Sequence, residues 1–207
     1  MLDNPWYFVL GFVAQGLFSV RVLIQWALSE KEKKVVSPTI YWQVSLLASF
    51  MFSIYGWLRG DFAIILGQIF SYYIYIWNIN SKNHWKEIPV VLRRAIQLTP
   101  VVALIYVIAH GDASVDRLFR SMPIGLLIFG SAGQVLFTFR FIYQWWYSRS
   151  RSESLLPMQF WIISLIGSLI TISYGLFRQD PVLIIGQAAG FIAYSRNLRL
   201  AIKSNKK

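Results

Sequence analysis

One stretch of this chain is written twice. Residues 11–78 recur at 130–197 with every matched residue displaced by 119 positions, and 22 of the 68 aligned pairs are identical. Gln15 recurs as Gln134, Arg21 as Arg140, Gln25-Trp26 as Gln144-Trp145, Pro38 as Pro157 and Trp42 as Trp161. Tyr55-Gly56 returns as Tyr174-Gly175, Asp61 as Asp180, Gly67-Gln68 as Gly186-Gln187 and Asn78 as Asn197. Self-similarity at one fixed offset marks a duplicated structural unit, so the fold has to be assembled from two equivalent parts. The chain divides into a first repeat at 1–80, a linker at 81–121, and a second repeat with a basic tail at 122–207.

Hydrophobic residues make up 56% of the 207, mean hydropathy is +0.50 and only 14% of residues are charged. That is more apolar surface than a water-soluble domain of this size can hide. Several apolar stretches approach the ~20 residues needed to cross hydrocarbon. The reading is an all-α integral membrane protein with seven transmembrane helices, at roughly 6–28, 38–58, 62–79, 96–110, 122–147, 157–177 and 181–198. Pro38 and Pro157 fall where a helix begins, since proline suits the first turn. Asp61 and Asp180 open the third helix of each unit, near the positive end of its dipole. The fourth segment has no copy. One extra crossing lets the second unit enter with the orientation of the first, giving a 3+1+3 arrangement of two parallel triple-helix repeats. Met1 to Pro5 carry no Lys or Arg, unlike a cleaved secretory signal, so the first helix is expected to stay.

Charge placement orients the chain. With the N-terminus outside and the C-terminus cytoplasmic, the inner segments hold fourteen Lys and Arg, including Lys31, Lys33, Lys34, Arg93, Arg94, Arg149 and Arg151. The outer segments hold four: Arg59, Arg117, Arg120 and Arg178. This follows the positive-inside rule, and the net charge of +11 reads as topology and a basic face beside anionic lipid. It does not read as a nucleic-acid footprint. Cysteine is absent, which excludes disulfides, thiolate metal sites and a cysteine nucleophile. His84 and His110 are expected on opposite membrane faces, and no metal-ligand spacing, nucleophile elbow or phosphate-cradling glycine loop is present. No catalytic residue, metal or cofactor is therefore assigned.

The repeated polar residues do not scatter. On a helical wheel, Gly11, Gln15, Phe18, Arg21, Gln25 and Ser29 fall within about a 120° arc, as do their copies. Pro38, Trp42, Ser45, Ser49 and Gly56 keep within roughly 60°, and Asp61, Gln68 and Tyr75 form one stripe with Asn78 nearby. Each helix thus has a polar or small face expected to turn inward. Ser45, Ser49 and Gly56, with Ser164, Ser168 and Gly175, suit close helix packing. A charge deep in a membrane helix costs ~2.5–3.5 kcal/mol even on the gentler scales. Arg21 and Arg140 either bind phosphate or carboxylate bidentately, supported by Gln25 and Gln144 one turn away, or snorkel to the interface or form an ion pair. Gln15, Gln68, Asn78, Gln134, Gln187 and Asn197 either meet ligand hydroxyls or lock helices together. Trp42 and Trp161, with Trp26 and Trp145, either stack on sugar rings or belong to the interfacial aromatic belt.

The runs Arg21–Glu30 and Arg140–Ser148 resemble the signature of the lipid-A-disaccharide synthase N-terminal domain family. So do Pro157, Phe160-Trp161, Tyr174-Gly175, Asp180-Pro181-Val182, Gly186-Gln187 and the segment Tyr194 to Leu198. The second copy fits better. In the first, Phe62 replaces the proline after the aspartate and Trp77 stands at the place of Arg196. The family is a small membrane module, found alone or fused ahead of a lipid A disaccharide synthase, and is similar to PQ-loop and SWEET transporters. The resemblance implies three-helix repeats, a bacterial inner membrane, and a link to lipid A or related envelope glycolipids. It does not imply glycosyl transfer, because no glycosyltransferase domain is expected within this chain. Two functions are expected from it: a carrier or flippase for a lipid-linked or phosphorylated sugar, or a non-transporting partner that presents lipid substrate to a separate glycosyltransferase. The expected partners are membrane lipid or glycolipid and such a glycosyltransferase.

Overall fold

The computed structural model describes residues 5–109 and 123–204. Seven helices run through them in chain order: α1 (Pro5–Glu32), α2 (Thr39–Leu58), α3 (Phe62–Ser81), α4 (Val90–Ala109), α5 (Ile124–Arg149), α6 (Met158–Arg178) and α7 (Pro181–Ser204). Local chemistry sets their ends. Pro38 and Pro157 stand in extended backbone just before α2 and α6, where their carbonyls accept the Tyr41 and Phe160 amides at 3.1 and 3.0 Å. Asp61 Oδ1 accepts the Ile64 amide at 3.2 Å, and Asp180 Oδ1 accepts those of Val182 and Leu183 at 3.0 and 3.2 Å. Both carboxylates satisfy amides that a helix start leaves unpaired. The tight turns before them need left-handed backbone, supplied by Gly60 (φ 59°) in one copy and Gln179 (φ 49°) in the other.

Six helices close a ring. Within each copy α1 packs on α2 and α2 on α3, then α5 on α6 and α6 on α7, while α3 meets α5 and α1 meets α7. The two cross-contacts are one contact seen twice, because α3 against α5 becomes α7 against α1 under the offset. α4 leans on the flank of the ring: Tyr72 and Tyr73 hydroxyls donate to the Ile96 and Gln97 carbonyls at 3.2 and 3.1 Å, and Trp57 packs edge-on to Tyr106.

The ring buries its repeated polar residues and exposes apolar ones. Gln15, Arg21, Gln25, Ser45, Ser49, Gln68, Asn78 and their second-copy equivalents are buried, whereas Leu23, Leu47, Phe50, Ile69, Ile128 and Ile192 are exposed. This inversion suits hydrocarbon as the solvent. Two apolar clusters fill the ring at different depths. One centres on Trp42, Tyr75, Phe141, Phe160 and Trp161, the other on Phe52, Tyr55, Ile64, Tyr174 and Leu183.

One expectation is corrected. Sequence reading gave seven transmembrane helices as 3+1+3 parallel repeats, but among the described residues four helices are long and apolar enough to cross a membrane: α1 over Trp6–Glu32, α3, α5 and α6. The shortfall has a physical cause. α2 spends its length on Gln43, Ser45, Ser49 and Ser53, α4 begins around Arg93 and Arg94, and α7 carries Gln187, Arg196, Asn197, Arg199 and Lys203. Duplicated positions therefore do not guarantee duplicated hydropathy. His110, Arg117 and Arg120, used above for topology, lie outside the described residues.

Glycine at Gly130 is required by contact. A Cβ there would lie 2.4 Å from the Tyr174 ring, whereas one at Gly16 meets nothing within 4 Å. Gly130→Ala is expected to cost about 1–3 kcal/mol through overpacking. Gly16→Ala should leave stability unchanged or raise it by up to ~1 kcal/mol. Thermal unfolding in detergent measures both.

Candidate functional site

Midway along the ring, between the two apolar clusters, the inward faces of α1, α3, α5 and α7 surround a cavity of about 40 Å³. Gln15, Arg21, Gln68, Gln134, Arg140 and Gln187 line it, together with Phe18, Tyr75, Phe137, Phe141 and Tyr194. Its volume suits a few water molecules or one small ionic group; a sugar ring does not fit in this closed form.

Neither arginine snorkels, for both are 2% exposed. Arg21 Nη1 donates to the Ser45 hydroxyl and, at 3.4 Å, to the Tyr75 hydroxyl. Its guanidinium carbon lies 4.5 Å from the Phe18 ring centre, 4.9 Å from Tyr41 and 5.7 Å from Phe141. Arg140 Nη1 donates to Ser164 at 3.2 Å, and its guanidinium carbon lies 3.5 Å from the Phe137 ring centre, 4.5 Å from Phe141 and 5.3 Å from Tyr194. Ser45 and Ser164 in turn donate to the Tyr41 and Phe160 carbonyls, which turns their oxygen lone pairs toward the guanidinium groups. Both cations thus flank Phe141.

Among the described residues no carboxylate reaches them. The ion pairs among the described residues are Arg59–Asp180, Arg178–Asp61, Arg196–Glu30 and His84–Glu87. The Nε atoms of Arg21 and Arg140 have no hydrogen-bond partner, and neither do Gln15 Nε2, Gln68 Oε1 and Gln187 Oε1. Gln15 and Gln134 reach into the cavity across glycines of the other copy. A Cβ on Gly186 or Gly67 would stand 2.5 or 2.6 Å from their amide oxygens. Two buried positive charges are ringed here by aromatic faces and amide groups, a donor set whose chemistry suits an anion.

The remaining sequence candidates are elsewhere. Asn78 and Gln144 exchange two amide hydrogen bonds at 3.1 and 3.0 Å across the α3/α5 contact. Trp42 Nε1 donates to Ser37 and Ser154 at 2.9 and 3.1 Å. Gln25 Nε2 donates to Ser29 and the Val36 carbonyl, at 2.8 and 3.2 Å, and Asn197 Nδ2 to the Ala193 carbonyl at 3.1 Å. Trp161 packs on Phe160 and Tyr194. Asn78, Gln144 and Trp42 thus bond across the two copies, whereas Gln25 and Asn197 bond within their own copy.

Sequence reasoning missed a reciprocal lock at the other end of the ring. Tyr55 donates to Asp180 at 2.7 Å and Tyr174 to Asp61 at 2.8 Å, while Arg59 lies 3.6 Å from Asp180 and Arg178 3.5 Å from Asp61. Each aspartate starts its own helix but is neutralised by the other copy. Burial pushes the Asp61 carboxyl above its ordinary range, against the opposing pull of Tyr174 and Arg178. The signal was available: tyrosine, arginine and aspartate all recur at the same offset.

Comparison with known proteins agrees with the duplication. The profile described as Lipid A Biosynthesis N-terminal domain matches residues 10–80 and 129–199, once per copy. The chain is similar to proteins named lipid-A-disaccharide synthase: 28% identical over 206 residues in Chlamydia pneumoniae, covering 95% of this chain and 34% of that protein. In Chlamydia trachomatis serovar D the identity is 28% over 208 residues, covering 95% and 34%. In Chlamydia caviae it is 26% over 208 residues, covering 95% and 33%. The chain therefore spans about a third of the length of these relatives, and what matches is an N-terminal domain rather than the remainder of a synthase. No solved structure matches. Among the described residues, no group of three or more His, Cys, Asp or Glu could hold a metal ion.

The lock generates a graded expectation. Asp180→Ala strands the Arg59 guanidinium and the Tyr55 hydroxyl together and should cost about 3–5 kcal/mol. Tyr55→Phe removes one hydrogen bond and should cost roughly 1 kcal/mol. Equal melting temperatures for the two variants would contradict the geometry.

Proposed function

The chain belongs to the Lipid A Biosynthesis N-terminal domain family, and from that premise we propose that it is a membrane module that binds the phosphorylated headgroup of a glycolipid precursor and presents it to a glycosyltransferase of the lipid-A-disaccharide synthase type. The observation that carries this reading is the pair Arg21 and Arg140, buried around one cavity with no carboxylate between them among the described residues. Phosphate suits them because a guanidinium offers a planar fork of donors to its oxygens. Gln15, Gln68 and Gln187 bring unsatisfied amide atoms for the neighbouring hydroxyls. Relatives three times as long, all named for the disaccharide synthase, support a partner of that kind. We place the module in a bacterial inner membrane. The basic end, with Arg199 and Lys203, then faces the cytoplasm, where positive charge is retained.

A carrier is the second reading. The observation favouring it is the internal two-fold pattern of the ring about a central cavity, which would let the copies rock as PQ-loop and SWEET transporters do.

The test uses native mass spectrometry of the detergent-purified chain with phosphatidic acid, phosphatidylcholine or inorganic phosphate. Phosphatidic acid should be retained over phosphatidylcholine. Arg21→Gln/Arg140→Gln should weaken it at least about tenfold, since each charge-assisted bond is worth ~1.5–3 kcal/mol. Retention of phosphatidic acid by the double variant would overturn the site, and binding of inorganic phosphate alone would remove the lipid. In proteoliposomes, a faster co-reconstituted disaccharide synthase supports presentation, while lipid movement between leaflets without that effect supports the carrier.

A further inference from the structure

The two contacts that join the copies ought to be equivalent, because corresponding helices meet at each. They are not. At the α3/α5 seam, Asn78 and Gln144 exchange both amide bonds, and Ser154 donates to Asn78 Oδ1 at 2.8 Å. Ser37 and Ser154 also take the Trp42 indole proton. At the α1/α7 seam the corresponding residues are Gln25, Asn197 and Trp161, all completely buried. There Gln25 Oε1, Asn197 Oδ1 and Trp161 Nε1 have no hydrogen-bond partner.

The cause is written in the sequence. The 119-residue offset puts Val35 where Ser154 stands in the other copy and Leu156 where Ser37 stands, so both hydroxyls are missing. Val22 likewise replaces Phe141, whose ring packs on Trp42, Tyr75 and Phe160. Ser19 replaces Thr138, which donates to the Gly67 carbonyl across the α3/α5 seam at 3.3 Å. In place of these, Arg196 pairs with Glu30 at 2.9 Å across α1/α7, with both side chains more than a third exposed. Exposed pairs hold helices weakly, and buried polar atoms left unpaired favour any state that satisfies them.

We infer that α1/α7 is the seam that opens, and that an anionic amphiphile slides its headgroup sideways from the bilayer through it into the arginine cavity. Its hydroxyls meet Gln25 Oε1, Asn197 Oδ1 and Trp161 Nε1. A hydroxyl both donates and accepts, so sugar hydroxyls match two acceptors and one donor where a plain hydrocarbon would not. The exposed Val20, Leu23, Ile185 and Ile192 on the same two helices leave apolar surface for the acyl chains. The opposite seam, amide-locked and ring-filled, acts as the hinge. This rests on the reading of the cavity as a phosphate site.

The absence of cysteine makes the test direct. Glu30→Cys/Arg196→Cys ties α1 to α7 through a short, reducible bis-thiol linker, and Trp77→Cys/Trp145→Cys ties α3 to α5. Each is reconstituted in phosphatidylcholine vesicles containing phosphatidic acid, and bound lipid is read by native mass spectrometry. The α1–α7 bridge should cut phosphatidic acid loading about tenfold or more, because it removes the open state from the ensemble, and reduction should restore it. The α3–α5 bridge should leave loading unchanged. Val35→Ser/Leu156→Ser, which copies the sealed seam's hydroxyls into the open one, should slow loading without any linker. Normal loading through a bridged α1/α7 seam, a block caused by the α3/α5 bridge instead, or unchanged loading in the double serine variant would each overturn the inference while leaving the anion site standing. Failure of the unbridged chain to retain phosphatidic acid would remove both.

Discussion

Two guanidinium groups held inside the protein, with no counter-ion among the described residues, are the constraint around which the rest is built. An uncompensated buried charge costs several kcal/mol, and two of them near one cavity also repel. The fold offsets part of that with what lies at hand: aromatic faces from Phe18, Tyr41, Phe137, Phe141 and Tyr194, and hydroxyls from Ser45, Tyr75 and Ser164. Rings attract cations without neutralising them. The positive charge therefore stays unneutralised, where a pairing aspartate would have extinguished it, as the proposed phosphate site requires.

Duplication supplies the geometry that holds this charge in place. At the aspartate end, each copy neutralises the other through Tyr55–Asp180–Arg59 and Tyr174–Asp61–Arg178, a symmetric clamp that neither copy could form alone. Toward the proline end, symmetry fails at four substitutions: serine to valine, serine to leucine, phenylalanine to valine and threonine to serine. Four small changes turn one of two equivalent seams into a locked one and leave the other with orphaned polar atoms. A repeat that has diverged this way can hinge on one side while the central site stays common to both copies.

The sequence revealed the duplication, the helix starts at Pro38, Pro157, Asp61 and Asp180, and the inward turn of Gln15, Arg21 and Gln68, because these depend on short-range periodicity and local capping. The 3+1+3 set of crossings was not legible. It assumed that a residue copied in place is copied in hydropathy, whereas α2 and α7 give their apolar length to the polar interior. The cross-copy partners were hidden too, since nothing local says that Asp61 is answered by Arg178 rather than by Arg59. Gln25, Gln144, Asn78 and Trp42 looked like Arg21 on a helical wheel. Only the three-dimensional ring separates those that face the cavity from those that lie beside it at the seams, one helical turn away.

The central claim is that Arg21 and Arg140 share one phosphate. Solid-state magnetic resonance on the chain purified from its native membrane, with arginine labelled in nitrogen-15, measures the dipolar coupling between guanidinium nitrogen and phosphorus directly. The account predicts one bound phosphorus within ~4 Å of nitrogens from both arginines, as charge-assisted hydrogen bonds require, with the coupling lost when either is replaced by glutamine. Coupling that is absent in the native protein, or that survives in the Arg21→Gln/Arg140→Gln double variant, would contradict it.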